Sequence, residues 1–306
     1  MDDAFDAACE IPVAGGALTV AAAGRPMAEA EGVVVALHGI TASHLAWASV
    51  ARELTATTAA CLLAPDLRGR GGSAQLPGPY GIDAHVADLL AVLDFLRVGP
   101  VVLAGHSMGA YVAARFAAEH PERVSGLVLV DGGLPLPFPD DHDPDEALHT
   151  VLGPALTRLG VTYARRTDYL EMWRMHPAFA GPWDDDVEAY LTYELTDAGD
   201  EVRPDAVRSV TSESAVRTDG RELLLDEATR NALAGVQAPV RLLRAHRGML
   251  DDDPLLSSAV IEELSAARPE VQIDEVEDVN HYSILLGPGP GAGRVTSAIR
   301  CALGDA

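Results

Sequence analysis

The stretch Pro100-Val101-Val102-Leu103-Ala104-Gly105-His106-Ser107-Met108-Gly109 decides how this chain is read. An apolar run of strand character ends in a G-x-S-x-G pentapeptide, and the alanine-rich segment from Ala110 to Glu119 continues as a predicted helix. A strand that turns into a helix this abruptly leaves no room for side chains beside the turn, which is the steric reason for Gly105 and Gly109. The turn sets the Oγ of Ser107 at its apex, where the first N–H groups and the positive dipole end of the helix face any anion formed there. The pentapeptide alone occurs in many unrelated chains. The strand before it and the helix after it give it weight.

Composition bounds the reading. A chain of 306 residues with 48% apolar content can build a substantial core. It carries 46 acids against 22 bases, a formal charge of −24, and every base is arginine. Such a surface repels nucleic acid and anionic membrane, so neither is expected as a partner. The arginine-only, alanine-rich usage is the mark of GC-rich codons and carries no functional information. Cys9, Cys61 and Cys301 are too few and too scattered for a disulfide framework or a metal-binding spacing, which fits a reducing cytoplasm. The acidic start, Met1 to Asp6, lacks the basic and apolar regions of a signal peptide, and no apolar run approaches membrane-spanning length.

Short apolar runs alternate with helical patterns along the chain, which predicts an α/β fold with a mostly parallel central sheet and helices on both faces. Ala17 to Ala23 reads as an edge strand, and Gly32 to Leu37, Ala60 to Ala64, Val101 to Ala104 and Gly126 to Val130 read as further strands. Asp83 to Leu96 has helical spacing. From Leu134 to about Gly235 the pattern changes to amphipathic helical stretches with no convincing strand, after a proline-rich entry at Pro135, Pro137 and Pro139. Alternation resumes with a strand at Val240 to Arg244, a helix from Leu255 to Arg268, a strand from Val271 to Val276 and a closing helix from Val295 to Leu303. The predicted organisation is therefore a core of residues 1–133 and 236–306 interrupted by a helical cap at 134–235. The insertion holds Tyr163, Tyr169, Trp173, Phe179, Trp183, Tyr190 and Tyr193. Most of these should pack the insertion itself, and Trp173 and Trp183 are the expected pocket residues, because an insertion at the carboxyl end of a parallel sheet covers the crevice where ligands bind.

With these elements in order, the chain resembles the α/β-hydrolase superfamily over nearly its whole length. The likeness rests on Ser107 in its elbow, on His38-Gly39-Ile40 after a strand, on Asp66-Leu67-Arg68-Gly69-Arg70-Gly71-Gly72-Ser73 as a D-x-R-G-x-G-x-S segment, and on His281 just after the last strand. A more distant likeness, to hydrolases of macrocyclic lactones of the zearalenone type, rests on the aromatic insertion and an acid after the sixth strand. The resemblance implies a catalytic triad in which Ser107 attacks a carbonyl, His281 takes its proton, and a carboxylate orients the histidine. It also implies an oxyanion hole from the backbone N–H groups of Ile40 and Met108. Asp66 and Arg68 would hold a loop, and His38 and His106 would orient backbone. His85, His120, His142 and His149 read as surface residues, while His44 and His176 are candidates for substrate contact.

The triad acid departs from the commonest family pattern. The turn after the penultimate strand reads Ala245-His246-Arg247-Gly248, with glycine where an aspartate is expected, and Asp251, Asp252 and Asp253 follow only later. Asp131, at the carboxyl end of the strand after the nucleophile helix, is the favoured acid, and Asp251 is the alternative. The resulting expectation is a serine hydrolase of an apolar carboxylic ester or lactone, using neither cofactor nor metal. Homo-oligomerisation is left open. A carbon–carbon bond hydrolase, a cofactor-free haloperoxidase-like enzyme and a slow-turnover ligand receptor are the rival readings of the same motif set. Serine at the elbow argues against the branches that use aspartate there.

Overall fold

The computed structural model describes residues 4–136, 155–181 and 183–304. An eight-stranded sheet forms the centre, built from β1 (Ala7–Val13), β2 (Gly16–Gly24), β3 (Val33–Leu37), β4 (Cys61–Pro65), β5 (Val101–His106), β6 (Val124–Val130), β10 (Val240–Arg247) and β11 (Gln272–Asn280). Their spatial order is β1-β2-β4-β3-β5-β6-β10-β11. The first two strands run antiparallel to their neighbours, and the six from β4 to β11 are parallel. The chain leaves β3 toward β4 on one side and returns to β5 on the other, so the topology switches direction between β3 and β5. Open parallel sheets bind ligands at such a switch, beyond the carboxyl ends of the strands.

The inner strands β3, β4, β5 and β6 read as near-continuous apolar runs because both of their faces are covered. In β3, Val34 and Ala36 enter one core layer while Val35 and Leu37 enter the other. The first layer holds α1 (Ala48–Thr57) and α9 (Gly291–Leu303), and the second holds α2 (Ile82–Leu96), α3 (Met108–Glu119) and α8 (Ser258–Ala267). Between β6 and β10 lie α4 (Arg166–Arg174), α5 (Asp185–Tyr193), α6 (Glu213–Leu225) and α7 (Glu227–Arg230). Asp184 caps α5 by accepting from Val187 N at 3.0 Å, and Asp185, Asp186 and Glu188 in its first turn suit the dipole.

The structure corrects three expectations. Ala17 to Ala23 is not an edge strand, because β1 pairs along its outer side; only Ile11 of β1 is fully buried, so that strand shows no clear alternation in sequence. The insertion is not wholly helical: β7 (Thr162–Tyr163), β8 (Leu195–Asp197) and β9 (Val207–Ser209) form a small antiparallel sheet in the order β7-β9-β8. Strands of two or three residues are too short to leave a periodic signal. His85 is completely buried on α2, where its Nε2 meets Asp219 Oδ2 at 3.0 Å, rather than on the surface. His120 is half-buried against Phe116, and His142, His149, Pro137 and Pro139 lie outside the described residues.

Gly109 sits where α3 meets the end of β3. A methyl group there would stand 2.2 Å from Leu37 O and 2.8 Å from His38 O, both backbone atoms with no freedom to retreat. Gly109→Ala should therefore destabilise the fold by about 2 kcal/mol or more in urea unfolding. Gly99→Ala, where an added methyl meets nothing within 4 Å, should change stability by less than about 0.5 kcal/mol.

Candidate active site

Ser107 occupies the turn between β5 and α3 with φ 54° and ψ −122°, a strained conformation for a non-glycine residue. Its N–H donates to Val130 O at 3.0 Å, and its carbonyl accepts from Ala110 N at 3.0 Å. Space around it is gone: a methyl group on Gly105 would meet Gly109 O at 2.3 Å, and one on Gly132 would meet Ser107 O at 2.4 Å. The loop after β3 also presses on the serine, since a methyl group on Gly39 would lie 3.3 Å from Ser107 Cβ and 3.7 Å from its Oγ.

His281 directly follows β11, and its Nδ1–H donates to Asp131 Oδ2 at 2.7 Å. That bond leaves Nε2 as the nitrogen free to accept a proton. Asp131 follows β6, is fully buried and has a left-handed φ of 46°. Its other carboxylate oxygen, Oδ1, accepts from Ala245 N at 3.1 Å, which locks the side chain between β6 and β10. Asp251 makes no hydrogen bond to His281 among the described contacts. Its carboxylate accepts from Arg247 Nη1 at 3.0 Å and from Asn280 Nδ2 at 2.9 Å. Of the two candidate acids, the structure brings Asp131 and not Asp251 to His281. The Asp252 carboxylate accepts from Leu250 N at 3.3 Å and stays within its own loop.

The flanking histidines hold backbone. His106 Nε2 donates to His281 O at 2.8 Å, and the two rings lie 4.7 Å apart, so the elbow fixes the segment that carries His281. Burial pushes the His106 pKa well below the usual histidine range, as a neutral ring with one N–H requires. His38, also buried, is pushed down to about 4, mainly by desolvation. Its Nδ1–H donates to Gly39 O at 2.8 Å while Nε2 accepts from Leu67 N at 2.9 Å. Asp66 is a buried hub, accepting from His44 N (2.7 Å), His44 Nδ1 (3.0 Å), Gly72 N (2.8 Å) and Tyr193 OH (2.9 Å). Arg68 forks onto Asp88 with contacts of 2.9 and 2.6 Å. Both residues hold the loop after β4.

A cavity of about 510 Å³ opens onto Ser107 and His281. Core residues Ile40, Met108 and Leu285 line it on one side, and Met172, Trp173, His176, Tyr190 and Leu223 of the insertion line it on the other. Trp173 is thus in the cavity. Trp183 is not: it borders a neighbouring cleft of about 270 Å³, where Arg174 lies over its ring at 4.7 Å, and the two spaces share Tyr282 and Leu286 as walls. His44 packs between Phe5 and Tyr193 and does not line the cavity, whereas His176 does.

Two arginines were not singled out from the sequence. Arg70, fully buried, donates through Nε to Ile40 O at 2.9 Å, pairs with Asp219 of α6 and brings Nη2 to 3.9 Å from Met108 Sδ. It therefore touches both residues expected to supply oxyanion N–H groups. Arg158 lines the cavity, pairs with Glu194 at 2.7 Å and donates to Tyr169 OH at 3.0 Å. Burial pushes the Glu194 carboxyl up to about 7 even beside this cation. One trio among the described residues, His246, Glu275 and Glu277, gathers three potential metal-ligand atoms within 4.8 Å, but all three are exposed and none lines the cavity. Among the described residues no helix is long and apolar enough to cross a membrane.

The profile of the alpha/beta hydrolase fold family matches residues 32–288, and the chain belongs to that family. It is 42% identical to lipase LipV of Mycobacterium tuberculosis over 103 residues, which is 34% of this chain and 38% of that one. It is 38% identical over 98 residues to the sn-1-specific diacylglycerol lipase ABHD11 of Danio rerio, covering 32% of this chain and 31% of that protein. The aligned part thus spans only about a third of either relative. Among solved structures, an E-2-(acetamidomethylene)succinate hydrolase superposes with a TM-score of 0.76 at 19% identity, covering 97% of this chain and 99% of that chain. The thioesterase domain from the curacin biosynthetic pathway gives 0.73 at 21% identity, covering 96% and 98%. At such identities the structural matches speak for the fold alone.

If the Asp131–His281 contact sets the working tautomer, Asp131→Asn should lower kcat by up to about 10⁴ on any ester the protein turns over. Asp251→Asn, which disturbs only the Arg247 and Asn280 contacts, should cost less than about tenfold. Steady-state kinetics on the two variants separates the assignments.

Proposed function

We propose that the protein is a serine hydrolase of carboxylic esters or lactones. The observation that carries the reading is a serine held at a strained turn in a cavity shared with a histidine whose Nδ1–H is locked onto a buried carboxylate. Ser107 Oγ attacks the acyl carbon as its proton passes to His281 Nε2, and the carbonyl π electrons move onto oxygen. The backbone N–H groups of Ile40 and Met108 receive that oxyanion. Met108 opens α3, so its N–H is one that the helix itself leaves without a partner. Collapse breaks the bond to the alkoxy oxygen, which leaves with the proton from His281. Water, deprotonated by the same imidazole, then hydrolyses the acyl-enzyme. Asp131 stabilises the imidazolium in both halves without taking the proton. The insertion acts as a cap, and the apolar side chains along the cavity favour a substrate with an apolar body.

The test joins labelling to turnover. A fluorophosphonate should add once to the wild-type protein by intact mass and not at all to Ser107→Ala. On p-nitrophenyl esters of graded acyl length, the same substitution should reduce turnover by a factor on the order of 10⁶. Labelling at Ser107 followed by near-zero turnover on every ester and lactone would favour the receptor reading. An active Ser107→Ala would end the serine mechanism.

A further inference from the structure

The cavity wall contributed by the insertion contains a feature that an apolar ester site does not need. Arg158 is 8% exposed and is the one cation among the described residues lining the cavity. Its guanidinium lies over the face of Trp173 at 5.0 Å, and Trp173 has a buried indole N–H with no hydrogen-bond partner. Tyr190, Tyr282 and His176 line the same cavity. The polar groups on this wall can all donate, and one is permanently charged. The lining acids, Asp252 and Asp253, come instead from the loop after β10.

We propose that Arg158 is an anion subsite that binds a carboxylate carried by the substrate away from its scissile bond, and this rests on the hydrolase reading above. Both hydrogen bonds that tie Arg158 to described residues, to Glu194 and Tyr169, use Nη1. The Nε and Nη2 edge is left for a ligand, and a guanidinium edge with two parallel N–H groups matches the two oxygens of a carboxylate. A purely structural contact at this place would be served as well by apolar side chains, since a buried ion pair recovers little more than its own desolvation cost. The partner is also exchangeable. With its carboxyl pushed up to about 7, Glu194 can take a proton and yield the guanidinium to an incoming carboxylate. Asp252 and Asp253, which line the cavity from the loop after β10, disfavour an anion beside them, which leaves Arg158 as the place for the carboxylate. The substrate class is then a half-ester of a dicarboxylic acid, or a lactone bearing a free carboxyl group.

The experiment compares hydrolysis of monomethyl esters of dicarboxylic acids from succinate to sebacate with the methyl esters of the monocarboxylic acids of equal chain length. At least one free-carboxylate ester should exceed its neutral counterpart in kcat/KM by about tenfold or more. The double variant Arg158→Gln, Glu194→Gln removes both charges together, so that no buried ion is left alone, and the ratio should fall to about one. Arg158→Lys keeps the charge but loses the fork, and its ratio should lie between the two. A wild-type ratio at or below one across the whole series would overturn the proposal, as would an undiminished ratio in a folded double variant. Failure of the hydrolase reading itself shows separately, as absent fluorophosphonate labelling at Ser107. In that event quenching of tryptophan fluorescence by adipate decides the subsite: binding lost in the double variant supports it, and absence of binding to the wild type overturns it.

Discussion

Backbone meets backbone at the Ser107 turn with nothing between. Gly105 faces Gly109 O, Gly109 faces Leu37 O, and Gly132 faces Ser107 O, each at a distance that would bring a Cβ to 2.2–2.4 Å. Three strand ends, those of β3, β5 and β6, are thereby drawn to one point at the place where the sheet topology reverses. The places of the candidate triad residues follow from this constraint. The turn holds Ser107 at the cavity, the loop after β3 lies against it, and Asp131, immediately before Gly132, has a left-handed backbone and meets His281.

Around that point the protein spends buried charge on positioning loops. Asp66 gathers two contacts from His44, one from Gly72 and one from Tyr193 of α5, so a single carboxylate joins the loop after β4 to the insertion. Arg70 joins the same loop to Ile40 and to Asp219 of α6, and Asp219 also holds His85 and Gly81 N. Burial alone would raise the Asp219 pKa, yet the charges of Arg70 and His85 hold it down at about 2. Removing one partner of such a cluster strands a charge in the interior, which costs several kcal/mol. The insertion is thus fastened to the residues that flank Ser107, and its placement over the cavity is part of the same network that sets the loop after β3.

How much of this could be read from the sequence depended on how local each signal was. The G-x-S-x-G turn, the inner parallel strands with their apolar runs, and the strand-end positions of Asp131 and His281 all announce themselves within a few residues. The contacts of Asp131 and Asp251 could not be separated in sequence, because the choice depends on which carboxylate the sheet carries to His281 and on Asp251 being taken up by Arg247 and Asn280. Arg158 and Glu194 are 36 residues apart, and Arg70 and Asp219 much further; each looks like an ordinary surface charge until the chain is folded. Trp173 and Trp183 were equivalent as aromatics in a helical insertion. In the fold Phe179 packs between them, and one lines the cavity while the other lines the neighbouring cleft. The strands β7 to β9 and the first strand β1 failed to show because strands so short, or so exposed, carry no alternation.

The central claim is that this crowded turn places a nucleophile between an oriented imidazole and two backbone donors. A crystal structure of the protein phosphonylated at Ser107 tests it most directly, since the phosphonyl oxygen takes the place of the oxyanion. The account predicts that oxygen within about 3 Å of the N–H groups of both Ile40 and Met108, with His281 still bonded to Asp131. A phosphonyl oxygen turned away from both N–H groups, or a His281 ring released from Asp131, would contradict it.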